Sequence, residues 1–122
     1  MRVAQDPVSA VTVRHVEQGA ITIGEEVIKE NVVLLRGHIL RGWIAADLQA
    51  ITIADLEETL THQPEVILLG TGWLNRLPPR ELVFALARRG IGLETMDTPA
   101  ACRTFNILLA EGRNVAAVLI VK

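Results

Sequence analysis

The chain has 122 residues and a net charge of −2, which is long enough for one self-sufficient core and not basic enough for non-specific nucleic-acid binding. Its hydrophobic content is 50%, yet it holds only two Trp, two Phe and no Tyr, so the core is predicted to be aliphatic. The longest aliphatic stretch, residues 115–121, is too short to cross a bilayer. We therefore expect one soluble domain over residues 1–122, with no nucleic-acid partner and no membrane span.

Localisation is predicted from the cysteine count and from the first residues. Cys102 is the only cysteine, which excludes an internal disulfide and is typical of a reducing compartment. Residues 1–10 have neither the apolar region of a signal peptide nor the Arg-rich and Ser-rich pattern of a transit peptide, and they are expected to be flexible. The resulting expectation is a cytoplasmic protein.

The first half of the chain predicts short strands joined by turns. Apolar and polar residues alternate over 11–14 and again over 21–23, which predicts a β-hairpin. Two short strands over 32–35 and 38–41 are separated only by Arg36 and Gly37, which predicts a second hairpin. The charged segment 25–31 between the hairpins is expected to be an exposed connection.

From residue 52 onward the hydrophobic period predicts helices that alternate with strands. Apolar residues recur three or four positions apart, and Pro, Gly or Thr stands at the ends, which predicts helices over 53–62, 79–89 and 99–111. A strand buried on both faces is predicted over 66–69, and further strands are predicted over 91–95 and 115–121. This alternation indicates a mainly parallel sheet covered by helices. The predicted fold class is thus a single compact α/β domain in three layers, with a mixed central sheet, packed helices and an N-terminal hairpin region.

A glycine loop between a buried strand and a helix is the first candidate site. Gly70-Thr71-Gly72 has the outline of loops that bind phosphate with free N–H groups. The match is weak because Asn75 stands where a dinucleotide motif has glycine, and no Walker Lys-Ser/Thr follows. Arg76 and Arg80 flank the carboxyl ends of the strands, where open α/β sheets bind ligands. A small anion is therefore one hypothesis, and the alternative is that the glycines only relieve backbone strain.

Other chemistries have little support. Cys102 borders the apolar side of its helix and is expected to be buried, with a reactive thiolate near the helix start as the alternative. His15, His38 and His62 are scattered and fit no spacing that is typical of a metal site. Asp97 is explained as a helix cap beside Thr98, which is itself predicted to be the N-cap residue. No catalytic residue, metal or cofactor is predicted.

An apolar patch on the third quarter of the chain is the second candidate site. Phe84 lies away from the apolar stripe by which its helix should pack on the sheet. That predicted stripe consists of Leu82, Val83 and Leu86. Trp73 and Leu74 stand at a loop tip before the same helix, and such side chains are favoured at interfaces. The patch predicts a protein partner or self-association, and core filling under a neighbouring element is the alternative.

An ordered series of motifs extends from residue 66 to residue 117. The motifs are VILLGTG (66–72), LPP (77–79), RGIGLE (89–94), MDTPAACRTFN (96–106) and EGRNVAA (111–117). Over residues 20–122 the chain resembles the family of small α/β domains of unknown function that includes the mitochondrial respiratory complex I assembly factor 3. The resemblance implies a mixed sheet with packed helices and an assembly or interaction role, with no defining reaction or cofactor.

The resemblance also implies a candidate ligand pocket. The positions that match the family motifs are Gly70, Thr71, Gly72, Asp97, Arg103 and Asn106, and Arg76 of the glycine loop is added to them. The leading interpretation is a non-enzymatic interaction or assembly-factor-like domain of a bacterial cytoplasm. The alternative is a protein, which could be an enzyme, that binds a small anion or ligand at residues 70–76.

Overall fold

The computed structural model describes residues 11–43 and 47–122. Its strands are β1 (Val13–Glu17), β2 (Ala20–Ile23), β3 (Glu26–Ile28), β4 (Val32–Leu35), β5 (His38–Leu40), β6 (Val66–Gly70), β7 (Gly92–Met96) and β8 (Val115–Leu119). Its α-helices are α1 (Glu57–Leu60), α2 (Arg80–Arg88) and α3 (Thr98–Ala110). None of these helices is long and apolar enough to span a membrane. The flexibility predicted for residues 1–10 lies outside the described residues.

The strands form two sheets. A five-stranded sheet has the order β5-β4-β8-β6-β7, in which β6 pairs parallel with β7 and β8. β4 pairs antiparallel with β8 and with β5, so the sheet is mixed. A separate antiparallel sheet has the order β1-β2-β3. The predicted mixed sheet and N-terminal hairpin region are confirmed, and β4–β5 is the predicted second hairpin.

Two hydrophobic clusters lie on opposite faces of the five-stranded sheet. On one face, Phe105 of α3 clusters with Leu68 of β6 and with Ile21 of the three-stranded sheet. On the other face, Leu86 of α2 clusters with Ile67 of β6. Consecutive strand residues point to opposite faces, so adjacent residues of β6 supply both clusters. The domain therefore has the three layers that the sequence predicted.

The segment 25–31 is more than an exposed connection, which corrects the sequence-based expectation. β3 lies within it and pairs with β2, so that Ile28 stands opposite Ile21 and is buried. Glu26 and Val27 are exposed. A short edge strand that contributes one buried residue leaves almost no periodic signal, and the surrounding charges concealed it.

The helix predicted over 53–62 is shorter and tighter than expected. A 3₁₀ turn covers Ile53–Leu56, and only Glu57–Leu60 is α-helical. The predicted capping box is present, since the Thr52 N–H donates to Asp55 Oδ2 at 2.9 Å. Pro64 disfavours helical geometry at the preceding residue, Gln63, which has a φ of 54°. The helix therefore ends earlier than residue 62.

Val83 does not belong to the buried stripe of α2, which corrects a second expectation. Leu82 and Leu86 are 2% and 0% exposed, whereas Val83 is 36% exposed. Residues four apart share a helix face, while the next residue is turned by about 100°. α2 thus rests on the sheet through Leu82 and Leu86 and leaves Val83 at the border with solvent.

Candidate functional site

The loops that follow β6 and β7 are joined by hydrogen bonds at the carboxyl edge of the sheet. The Thr71 N–H donates to Met96 O at 2.9 Å, and the Thr98 N–H donates to Gly72 O at 2.7 Å. The Gly72 N–H donates to Thr98 Oγ1 at 2.9 Å, and that hydroxyl donates to Ile120 O at 2.6 Å. The Thr98 hydroxyl therefore connects three parts of the chain: the glycine loop, the start of α3 and the segment after β8.

We call these hydrogen bonds between residues 71–72 and residues 96–98 the joint. The joint lies where α/β sheets usually bind ligands. β6 and β7 are neighbours, yet the helices that follow them, α2 and α3, pack on opposite faces of the sheet. Such a switch normally opens a crevice between the two loops. A phosphate-binding loop keeps its N–H groups free for the ligand, whereas Thr71 and Gly72 donate theirs to Met96 and Thr98. These backbone donors are therefore already bound within the protein.

The rest of the glycine loop is folded onto Thr71. The Thr71 hydroxyl donates to Leu74 O at 2.7 Å and accepts the Arg76 N–H at 3.1 Å. Gly72 has a φ of 95°, which a side chain would make unfavourable. The Arg76 side chain is exposed and lies 4.0 Å from an Asp47 carboxylate oxygen. Segment 71–76 is thus a closed turn with its cationic side chain in solvent.

Close packing around position 70 requires a residue without a side chain. It is buried at the end of β6, and an added Cβ would lie 3.0 Å from Leu119 Cδ2, 3.0 Å from Thr98 Oγ1 and 3.1 Å from Thr98 Cα. The first residue of α3 therefore approaches β6 so closely that a methyl group does not fit without movement. The two glycines of the motif have different roles, since Gly72 provides a turn and Gly70 provides space.

The start of α3 differs by one residue from the sequence-based expectation. Asp97 is the N-cap, because its Oδ1 accepts the Ala100 N–H at 2.8 Å. Thr98 is the first helical residue and is fully buried, so its hydroxyl serves the joint and does not cap the helix. Arg103 lies on the exposed side of α3. Asp97 is therefore next to the glycine loop, and its carboxylate has a structural partner.

Asn106 holds the three-stranded sheet on α3. It lies about 12 Å further along the helix axis than Thr98, as expected for eight residues of α-helix. Its Oδ1 accepts the Val13 N–H at 2.9 Å, and its Nδ2 donates to Val13 O at 2.8 Å. Both ends of the amide are thus used by one residue of β1. The structure does not bring Asn106 to the glycine loop.

Cys102 is buried, as predicted. It is 1% exposed within the cluster that contains Phe105. Burial raises the pKa of its thiol from 9.0 to about 12, and the nearby Arg103 guanidinium offsets only part of this effect. The thiol therefore stays protonated near neutral pH and lacks the thiolate character of a nucleophile.

The members of the predicted apolar patch differ in their exposure. Leu74 is 74% exposed and Phe84 is 54% exposed, whereas Trp73 is half-buried and its Nε1 has no hydrogen-bond partner in the part of the chain that the structure describes. Leu77, which the sequence did not single out, is 82% exposed. The Gln49 amide donates to Leu77 O at 2.8 Å and holds the loop in place. We call Leu74, Leu77 and Phe84 the 74–84 surface.

A histidine pair lies outside both predicted sites. The ring centroids of His38 and His62 are 5.0 Å apart, and the ring planes are inclined by 51°. The residues belong to separate elements, so nothing in their spacing could have indicated the contact. Within residues 11–43 and 47–122, no group of three or more His, Cys, Asp or Glu side chains is arranged to hold a metal ion.

Two curated relatives of this chain have different names. The "13 kDa major membrane protein" of Francisella tularensis subsp. holarctica is 39% identical over 74 residues, which is 61% of this chain and 60% of that protein. The NADH dehydrogenase (ubiquinone) 1 alpha subcomplex assembly factor 3 of Xenopus tropicalis is 35% identical over 106 residues, which is 84% of this chain and 56% of that protein. The chain thus spans little more than half the length of these relatives.

Solved structures with the same fold cover nearly the whole chain. A Xanthomonas campestris protein has 32% identity and a TM-score of 0.85, covering 97% of this chain and 89% of its own. A Bordetella pertussis protein described as a Mth938-like domain has 29% identity and a TM-score of 0.78, covering 99% and 92%. A family described as "protein of unknown function (DUF498/DUF598)" matches residues 13–120. The chain therefore belongs to the DUF498/DUF598 family of small α/β domains, whose members include proteins named complex I assembly factor 3.

Proposed function

We propose that this chain is a non-enzymatic interaction domain that binds a protein partner, as an assembly factor does. The observation that carries the proposal is the 74–84 surface, where Leu74, Leu77 and Phe84 are exposed within eleven consecutive residues. We infer that these side chains form one apolar patch, because such patches are typical of binding sites and aromatic residues are frequent among their energetic centres. Relatives named as assembly factors support the same kind of role.

The 74–84 surface is held in a fixed conformation. Hydrogen bonds from the Thr71 hydroxyl and the Gln49 amide fix the loop, and α2 carries Phe84 on the side opposite its buried residues. A surface that is ordered before binding loses little conformational entropy when it meets its partner. These contacts support a preformed docking site for a folded protein.

The charges around Phe84 indicate the chemistry of the partner. Arg80 and Arg88 lie one helical turn before and after Phe84 on α2, Glu81 lies three residues before it, and all three side chains are exposed. A cleft of about 320 Å³ opens on the same helix, between Pro79, Leu82 and the segment 49–53. The complementary surface is an apolar pocket with carboxylates opposite the two arginines and a basic or polar group opposite Glu81.

We place the chain in a bacterial cytoplasm, where a single reduced cysteine is typical. The burial of Cys102 supports the reducing compartment, and the similarity to proteins of Rhodobacter capsulatus and Xanthomonas campestris supports the bacterial host. Fractionation of the native host, followed by immunodetection, tests it, and recovery in the membrane or extracellular fraction would contradict it.

The double variant Leu74→Ser/Phe84→Ser is expected to lose partner binding. A partner isolated with the wild-type chain is purified, and its affinity is measured by isothermal titration calorimetry. We expect at least a ten-fold loss, because about 1.4 kcal/mol accompanies each factor of ten and both side chains leave the apolar interface. The control is Ile107→Ser, which removes an apolar side chain that is 58% exposed on α3.

Thermal melting checks that both variants remain folded, since substitutions at exposed positions change stability by only about 0.5 kcal/mol. Equal affinity of the wild type, the double variant and the control would contradict the assignment of this surface. If the isolated partner is a second copy of the chain, light scattering should show a dimer that only the double variant loses.

Binding of a small anion or ligand at residues 70–76, with or without catalysis, stays a prediction. Because the N–H groups of Thr71 and Gly72 are bound internally, such a ligand would depend on the exposed side chains of Arg76 and Arg80. We expect phosphate, nucleotides and dicarboxylates to leave the melting temperature unchanged. Stabilisation by one of them that Arg76→Ser abolishes would instead support this alternative.

A further inference from the structure

His38 and His62 form a pair of imidazoles at the surface between the β4–β5 hairpin and the end of α1. Their ring centroids are 5.0 Å apart. His38 is exposed and His62 is half-buried, so solvent and ions reach the pair. No hydrogen bond engages either ring within the part of the chain that the structure describes. Their nitrogen lone pairs are therefore available to a ligand.

The backbone on both sides of the pair is held in place. His38 begins β5 and stands opposite Leu35 in the hairpin register. The Asn114 amide donates to His62 O at 3.0 Å and to Gln63 O at 2.7 Å, which fixes the turn after α1. The two imidazoles are thus positioned by separate elements that do not need to reorganise before binding.

The separation of the rings agrees with binding to a common metal ion. Imidazole nitrogens bind Zn²⁺ at about 2.0–2.1 Å, so two imidazoles at right-angled to tetrahedral positions place their ring centroids about 4.5–5.2 Å apart. The observed 5.0 Å lies within this range. Rotation of a ring about χ2 leaves its centroid in place and changes the direction in which its nitrogens point.

We propose that His38 and His62 bind one divalent transition-metal ion of the Zn²⁺, Ni²⁺ and Cu²⁺ class, with water in the remaining positions. Imidazole suits these ions, whereas Mg²⁺ and Ca²⁺ require oxygen ligands. The site is open, because the protein supplies two ligands and leaves positions for water or for a side chain of another molecule. It uses elements other than the 74–84 surface and does not depend on the proposed partner.

Calorimetric titration of the tag-free chain with NiCl₂ and with ZnCl₂ tests the site. The variants His38→Ala and His62→Ala each remove one ligand. His15→Ala is the matched control, because His15 is exposed on β1 and has no histidine neighbour among the described residues. We expect one ion per chain for the wild type and the control, at least about ten-fold weaker binding for either ligand variant, and no binding of Mg²⁺.

NMR provides a second measurement that does not depend on the stability of the variants. Substoichiometric Ni²⁺ should broaden the ring signals of His38 and His62 in the wild-type chain before those of His15. Equal affinity in all four chains, a loss of affinity in His15→Ala, or broadening that begins at His15 would overturn the proposal. An unchanged affinity in either ligand variant would overturn it as well.

Discussion

Replacing Thr98 with Val is expected to lower the free energy of unfolding by about 2–4 kcal/mol. The substitution keeps the branched shape of the side chain and replaces its hydroxyl with a methyl group. Without that oxygen, the buried Gly72 N–H loses its acceptor and the partly buried Ile120 O loses its donor. Each unsatisfied buried group costs about 1–3 kcal/mol. Urea denaturation, followed by circular dichroism, measures the difference.

Two further variants control for causes other than the lost hydrogen bonds. Thr98→Ser keeps the hydroxyl and should retain most of the stability, since only one methyl group is removed. Thr61→Val removes an exposed hydroxyl that donates to Glu58 O, and water can replace it there. A Thr98→Val chain as stable as the Thr61→Val chain would show that the Thr98 hydroxyl contributes nothing to the stability of the fold.

Replacing Gly70 with Ala is expected to destabilise the fold by about 1–3 kcal/mol. The new methyl group would lie 3.0 Å from Thr98 Oγ1 and 3.1 Å from Thr98 Cα, and the latter belongs to backbone that cannot rotate away. β6 and α3 must therefore separate slightly or strain the joint. Thermal and urea denaturation of the purified variant measure the effect.

Gly92→Ala is the matched control in the neighbouring strand. An added Cβ at Gly92 meets only Val66 Cγ2, at the ordinary contact distance of 3.9 Å, and the backbone there is compatible with alanine. Its stability should be unchanged or slightly raised, because alanine restricts the unfolded chain more than glycine does. If both variants had the same stability, close packing would not explain Gly70.

Periodicity was sufficient to predict the fold class and most of the elements. Leu82 and Leu86 mark the buried face of α2, and the aliphatic run that contains Ile67 and Leu68 marks a strand covered on both sides. These signals are local, so they are present in the sequence itself. β3 has only one buried residue, Ile28, and a single buried residue cannot produce a periodic hydrophobic pattern.

The candidate sites depend on contacts that the sequence does not contain. Gly-Thr-Gly before a helix has the same composition whether its N–H groups are free or bound, and only the fold shows that Thr98 accepts one of them. Asn106 and Val13 are paired across most of the chain length. The prediction placed Asn106 in a pocket with the glycine loop because both match family motifs, although helix geometry separates them.

The hydrogen bonds between Gly72 and Thr98 also affect how this chain tolerates mutation. The GTG segment and the DTP segment are complementary halves of one joint, although they are far apart in sequence. Substitutions in the two halves should therefore be strongly non-additive, since either change removes the same shared contacts. A variant with an altered glycine loop could regain stability by a second change at the start of α3, so that the two segments would evolve as a coupled pair.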